Sequence, residues 1–206
     1  MGSKVDQNKQ QKKETLLNTA FHLFTTKGIN KTSISEIAEA SGIAKGTFYL
    51  YFTDKYDIRN KLIAHESGKL FKRAADAMER ENIAALEERI IFIVDHILDQ
   101  LNENQALLNL INKNLSWGIF KNALIQNTDD NVNFRSVYER MIEESEHCIR
   151  DPEIMLFLIV ELVSSTCYSA ILYGEPVDLK GLKPHLFEVI RSIIAAHQKP
   201  LTEKEE

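Results

Sequence analysis

Residues 29–62, INKTSISEIAEASGIAKGTFYLYFTDKYDIRNKL, carry the pattern that decides the fold. The stretch reads as a short helix, a glycine turn, a second short helix and the start of a longer third one. Thr32 and Ser33 offer hydroxyls for the first helix N-terminus. Ser33 with Glu36 three residues on has capping-box spacing, in which each side chain satisfies a backbone N–H that the helix leaves open. Ile34, Ile37 and Ala38 fall at i, i+3 and i+4, one apolar stripe. Ser41-Gly42 ends that helix, because glycine enters the left-handed conformation after a helix C-terminus at little steric cost. The turn that follows, from Lys45 to Phe52, is aromatic-rich for so short a helix. Two tight helices joined by a glycine turn make a helix-turn-helix, a motif whose second helix enters the DNA major groove.

These residues resemble the tetracycline-repressor (TetR) family. The family pattern is a Thr-capped helix with Ile-Ala, an Ala-Gly-Val-Ser turn, Lys-Gly-Thr, an aromatic cluster ending Tyr-Phe, and a Lys soon after. Here it stands as Thr32, Ile37-Ala38, Ser41-Gly42-Ile43-Ala44, Lys45-Gly46-Thr47, Phe48-Tyr49, Tyr51-Phe52 and Lys55. The match is confined to the N-terminal end of the chain. It departs from the pattern at Ala44, where the family usually has Ser or another capping side chain. That loss should cost about 1 kcal/mol at the start of the second helix and removes a hydroxyl that could meet a phosphate. The resemblance implies an all-α chain, with an N-terminal three-helix DNA-binding domain and a C-terminal helical domain for ligand binding and dimerisation. It also implies that Lys45, Gly46, Thr47, Tyr49 and Tyr51 contact bases or phosphates, and that Thr32, Ser33 and Lys55 bind phosphates. Phe48 and Phe52, four apart, would point inward.

Composition agrees. The 206 residues, 44% of them hydrophobic, suffice for one small and one medium domain, and eight Gly with four Pro argue against an all-β chain. No run approaches the ~18 consecutive apolar residues of a membrane span, and the N-terminus MGSKVDQNKQQKKE lacks the apolar core of a secretory signal, so no membrane partner is expected. Cys148 and Cys167 have no metal-ligand spacing and suit a reducing cytoplasm, with buried structural roles favoured over a redox switch. No cofactor or metal is expected.

The placement of charge matters more than its sum. Residues 1–60 hold nine Lys/Arg against six Asp/Glu, a balance of +3, which leaves −8 for the rest. A basic head on an acidic body would turn the N-terminal end toward phosphates and repel DNA elsewhere. Lys9, Lys12 and Lys13 read either as a solvated tail or as phosphate contacts.

Periodicity predicts a first helix from about Lys9 to Lys27 on Leu17, Ala20, Phe21 and Phe24, ended by Gly28. A long helix should run from an Asp54 cap to about Arg80, and amphipathic helices over residues 87–102, 106–127 and 131–149. Asp151-Pro152 reads as a cap with Pro at the first helical position. Residues 154–173 are apolar on nearly all sides, and 182–197 form a last amphipathic helix. No strand is convincing. The implied domains are 9–55 for DNA binding and 56–198 for ligand binding and dimerisation, with flexible tails at 1–8 and 199–206.

A helix as apolar as 154–173 calls for more than one neighbour, and the last two helices are the dimerisation candidates. Candidate cavity liners are Phe92, His96, Trp117, Phe120, Phe157, Glu161, Tyr168 and Tyr173, aromatics with a few polar groups, though each could equally be core. Glu161, an acid within an apolar run, could face solvent, pair with a base or bind a cationic ligand. The reading is a cytoplasmic homodimeric repressor, released from a palindromic double-stranded DNA operator by a small apolar or amphipathic ligand. The alternatives are a constitutive or partner-controlled DNA-binding regulator and a helical protein-interaction module. An enzyme is not indicated, for no acid, base and nucleophile set converges and no His-Glu-x-x-His occurs.

Overall fold

The computed structural model describes residues 4–112 and 134–199. It is helical almost throughout, as expected. In the head, α1 (Lys4–Thr26), α2 (Ile34–Ala40), α3 (Lys45–Phe48) and the first turns of α4 (Lys55–Met78) enclose one core. The body follows with α5 (Leu86–Glu103), α6 (Gln105–Asn112), α7 (Phe134–Glu143), α8 (Pro152–Leu172) and α9 (Leu179–His197).

The head's local chemistry follows the sequence closely. Gly28, at φ +84°, closes α1, and Gly42, at φ +67°, turns α2 into α3. Ile43 N–H donates back to the Ala38 carbonyl at 2.9 Å, which satisfies an orphan acceptor at the end of α2. Phe48 and Phe52 are fully buried, 5.5 Å apart by ring centroids, among Leu16, Ala20, Ile37 and Ile58. Asp54 caps α4, accepting from the Tyr56 and Asp57 N–H groups at 2.7 and 2.8 Å.

Several boundaries differ from expectation. α1 begins at Lys4, so residues 4–8 of the supposed tail are helical. They are exposed and, Val5 apart, polar, and so give no periodic signal. The head core draws on Ile58, Leu62 and Ile63 of α4 and on Leu110 of α6, beyond the implied boundary at Lys55. α7 is shorter than the predicted 131–149 helix, because Cys148-Ile149 (β1) leaves the helix to pair antiparallel with Gln198-Lys199 (β2). That two-residue ribbon is absent from the sequence reading, since its partners lie far apart in the chain. Asp151 does not cap α8. At φ +48° its carboxylate is turned away from the first turn, though Pro152 does take the first helical position.

α8 is, among the described residues, long and apolar enough to cross a membrane by length and composition. No window of unbroken apolar residues reveals this, because two Glu and a few Ser and Thr interrupt the run without lowering its average far. Only 28% of that stretch is buried. One side packs lengthwise on α9 and against α5 and α6, while Ile154, Phe157 and Leu158 stay exposed.

Phe48 is the keystone of the head's core. Phe48→Ala should destabilise the protein by about 3–5 kcal/mol, the usual cost of a buried Phe truncation, as read by urea denaturation followed by circular dichroism.

Candidate nucleic-acid interface and effector cavity

The head presents α2 and α3 at one end. The Ser33 capping box forms in full, with Ser33 Oγ accepting from Glu36 N–H at 3.2 Å and Glu36 accepting from Ser33 N–H at 2.8 Å. Lys27 Nζ also reaches Glu36 at 2.8 Å and ties α1 to α2. The Lys27 hydrogen bond, helped by the Ser33 N–H, holds the Glu36 carboxyl down at about 2. α3 has no side-chain cap at Ala44, as its sequence implied.

The implied DNA contacts divide into two groups. Lys45, Gly46 and Tyr49 are exposed, with Tyr49 standing edge-on to Phe48 at 5.6 Å. Thr47 and Tyr51 are half-buried, Tyr51 packing on the head core. Ser33 is exposed at the α2 N-terminus. Thr32 and Lys55 are placed otherwise than a phosphate contact requires. Thr32 is only 2% exposed and its hydroxyl donates to the Gly28 carbonyl at 2.9 Å, locking the α1–α2 turn. Lys55 Nζ donates to the Ile29 carbonyl at 3.2 Å and is spent as a strut across that same turn.

Two exposed groups lie outside the quoted motif. Leu50, 78% exposed, sits beside Tyr49, and Tyr56 at the start of α4 has Arg59 and Lys55 cations 5.2 and 5.6 Å from its ring centroid. Helical phase would have marked Leu50, an apolar residue turned from the core stripe of Phe48 and Phe52. Tyr56 had no such signal.

Within the body lies a cavity of about 280 Å³. α5 contributes Ile90, Ile93, Val94, Ile97, Leu98 and Leu101, and α6 contributes Leu108 and Ile111. Ser67, Leu70 and Phe71 of α4, Tyr138 and Met141 of α7, and a strip of α8 complete it. Of the sequence candidates, Glu161 and Tyr168 line this cavity. Tyr168 donates its hydroxyl to Asn109 Oδ1 at 3.1 Å. Phe92 and His96 do not line it. They fall one strip away from the lining face of α5 and stack on each other at 6.0 Å. Phe157 and Tyr173 are exposed on the outside of the body. Trp117 and Phe120 lie outside the described residues. Ser67 and Leu108, which sequence spacing did not single out, do line the cavity, because neighbours distant in the chain surround them.

The two cysteines differ. Cys148 is exposed, whereas Cys167 is buried in the cavity wall and burial pushes its thiol up to about 11, which makes it a poor nucleophile. Among the described residues, no three His, Cys, Asp or Glu side chains gather to hold a metal.

Residues 16–62 match the family model described as bacterial regulatory proteins, tetR family. The chain carries the DNA-binding head of the TetR family. It is a DNA-binding transcriptional regulator of that family, and not an enzyme. It is 27% identical over 152 residues to the HTH-type transcriptional regulator AcrR of Shigella flexneri, an alignment covering 72% of this chain and 69% of AcrR. It is also 27% identical over 117 residues to the fatty acid metabolism regulator protein of Bacillus subtilis (strain 168), covering 51% of this chain and 59% of that one. In fold it resembles the transcriptional regulator FadR from Bacillus subtilis in complex with stearoyl-CoA, with TM-score 0.64 and 18% identity over 88% of this chain and 98% of FadR. The TetR head therefore accounts for the helix-turn-helix geometry, and the family fold for the helical body behind it.

Two outcomes follow for this TetR-family head. The Glu36 carboxyl is lowered from 4.5 in the folded protein, so its stabilising share is present above pH 4.5 and is lost as pH falls toward about 2. Glu36→Gln should flatten the fall of the urea midpoint across that window. Tyr49 is exposed and outside the core, so Tyr49→Ala should leave the melting temperature within a degree or so of the parent while weakening operator binding about tenfold or more in a gel shift.

Proposed function

We propose that this protein is a cytoplasmic repressor, bound as a homodimer to a near-palindromic operator and released from it by a small apolar or amphipathic molecule in the body cavity. The observation that carries this is the position of α6. Its Leu108 and Ile111 stand in the cavity wall, while Leu110 between them packs into the head core against the cluster around Leu16 and Ile58. α4 makes the same connection over a longer span, with Ile58, Leu62 and Ile63 in the head and Ser67, Leu70 and Phe71 at the cavity. At 1.5 Å per residue α4 is about 36 Å long, so a small tilt at the cavity is enlarged at the head. A ligand that favours one head position shifts operator affinity by its differential binding, typically ~1–3 kcal/mol.

The dimer reading rests on Ile154 and Leu158 of α8 and Val189 of α9, apolar residues that stay exposed among the described residues. A patch of that kind is covered in stable proteins, and a second copy of the same two helices would cover it by a four-helix contact. Two heads are also what a palindromic operator requires, with recognition helices about 34–36 Å apart. The stearoyl-CoA bound by the similar FadR supports an effector with a long apolar part. The second reading, a constitutive binder whose cavity stays empty, has in its favour only that each cavity residue could serve as core.

Leu158→Arg, at an exposed position on α8, should give a folded monomer in sedimentation and cut operator affinity at least tenfold. A gel shift with genomic operator fragments, repeated while titrating candidate hydrophobic effectors, tests release. A compound that raises the melting temperature must then lower operator affinity, and operator must weaken that compound's binding by the same factor. A ligand that binds tightly but leaves operator affinity unchanged would remove the induction reading for that ligand.

A further inference from the structure

The cavity's charge pattern bears on what enters it. Its described lining is apolar and aromatic apart from a few hydroxyls, one thiol and one ion, Glu161. That carboxylate makes no ion pair or hydrogen bond among the described residues, and it is exposed. It lies on α8 between the lining strip of Val160, Ser164 and Tyr168 and the outer face of Leu158, and so stands at the cavity's lip. An outward Glu on an apolar helix satisfies no neighbour, whereas Lys183, the cation held between α5 and α9, is paired instead with Asp95 and Asp99.

A second unpaired polar group lies deeper. Ser67 of α4 is 5% exposed, and its hydroxyl has no partner among the described residues. A serine inside a helix usually donates to the carbonyl four residues earlier, so an unpaired buried one is a cost that a ligand atom could relieve. Between these two groups the walls carry Phe71, Tyr138 and Tyr168, whose ring faces attract cations. The body beyond residue 60 carries −8, so its field also concentrates cations at the mouth.

Resting on the effector reading above, we infer that the cavity takes a lipophilic cation: an apolar body in the cavity, with its positive charge at Glu161. An anion of equal shape meets an unpaired carboxylate at the entrance and an acidic body around it. A hydrocarbon chain needs only apolar walls, but a charge leaving water needs a counterion, and the one on offer is negative. The inference thus separates this cavity's chemistry from the acyl-CoA held by its similar structure, whose phosphates are anionic.

The test uses two ions of closely matched size and opposite charge, tetraphenylphosphonium and tetraphenylborate, with the neutral fluorophore N-phenyl-1-naphthylamine and stearoyl-CoA. Each is titrated into the full-length protein and into E161Q and S67A. Glu161 is exposed and unpaired, so E161Q should keep the parent's melting temperature. Tetraphenylphosphonium should bind more tightly than tetraphenylborate, and E161Q should weaken it about tenfold, the scale of one partly desolvated charge pair, while leaving the neutral probe unchanged. S67A should act on any probe that reaches α4, irrespective of charge. Equal affinity for the two ions, tighter binding of the borate or stearoyl-CoA, or a phosphonium affinity indifferent to E161Q would overturn the inference while leaving the effector reading intact. If the neutral probe and every ion fail to bind, the effector reading itself falls and takes the inference with it.

Discussion

The structure depends on one rigid connection, the continuous helix α4. Its first two turns bury Ile58, Leu62 and Ile63 with Phe48 and Phe52, and its middle presents Ser67, Leu70 and Phe71 to the body. A helix bends most readily at a proline, a Gly/Ser pair or a bulge; α4 holds no proline, and its one Gly/Ser pair, Ser67-Gly68, lies where the helix passes the cavity. One continuous helix thus joins the head core to the cavity wall. The Asp54 cap and its reciprocal Thr53–Asp57 bond fix the entry of that helix, so that the recognition turn is set from below.

The head is built from local bonds and the body from distant ones. In the head, the Ser33–Glu36 box, the Gly28 and Gly42 turns and the Thr32 strut each join residues close in sequence, while Lys55 reaches back past α2 and α3 to the Ile29 carbonyl. The body's ion pairs span much longer intervals, Arg191–Glu88 and Lys183–Asp99 among them. These exposed pairs add little stability singly, and the body instead holds together through the apolar cluster from Ala74 to Ile194.

Charge follows the same division. The head's surplus of basic residues lies on exposed positions of α1, the α1–α2 turn and α3, such as Lys9, Lys31 and Lys45, while the acidic excess falls on the body. Phosphates are drawn to one end only. α8 presents apolar residues, Ile154 and Leu158 among them, that stay exposed among the described residues.

The helix-turn-helix was legible from sequence because every signal in it is short-range. Capping spacing, the glycine turn and the i, i+3, i+4 stripe read the same whether or not the rest is known, and Phe48 and Phe52 lie buried where that stripe put them. The amphipathic helices read at 87–102 and 182–197 were legible for the same reason, to within a few residues at their ends. Sequence alone did not reveal the start of α1 at Lys4, since exposed polar turns leave no stripe, or the Cys148–Lys199 pairing, which joins residues about fifty apart. Nor could it sort the candidate cavity residues. Phe92 and Glu161 look alike as positions on apolar helices, and only the packing of five helices places one outside the wall and the other on its lip. Local chemistry determines which residues cap, turn and stripe. Which faces meet, and so where a cavity opens and which hydroxyl or carboxylate is left unpaired within it, is decided by the tertiary structure, because burial is a property of all the neighbours at once.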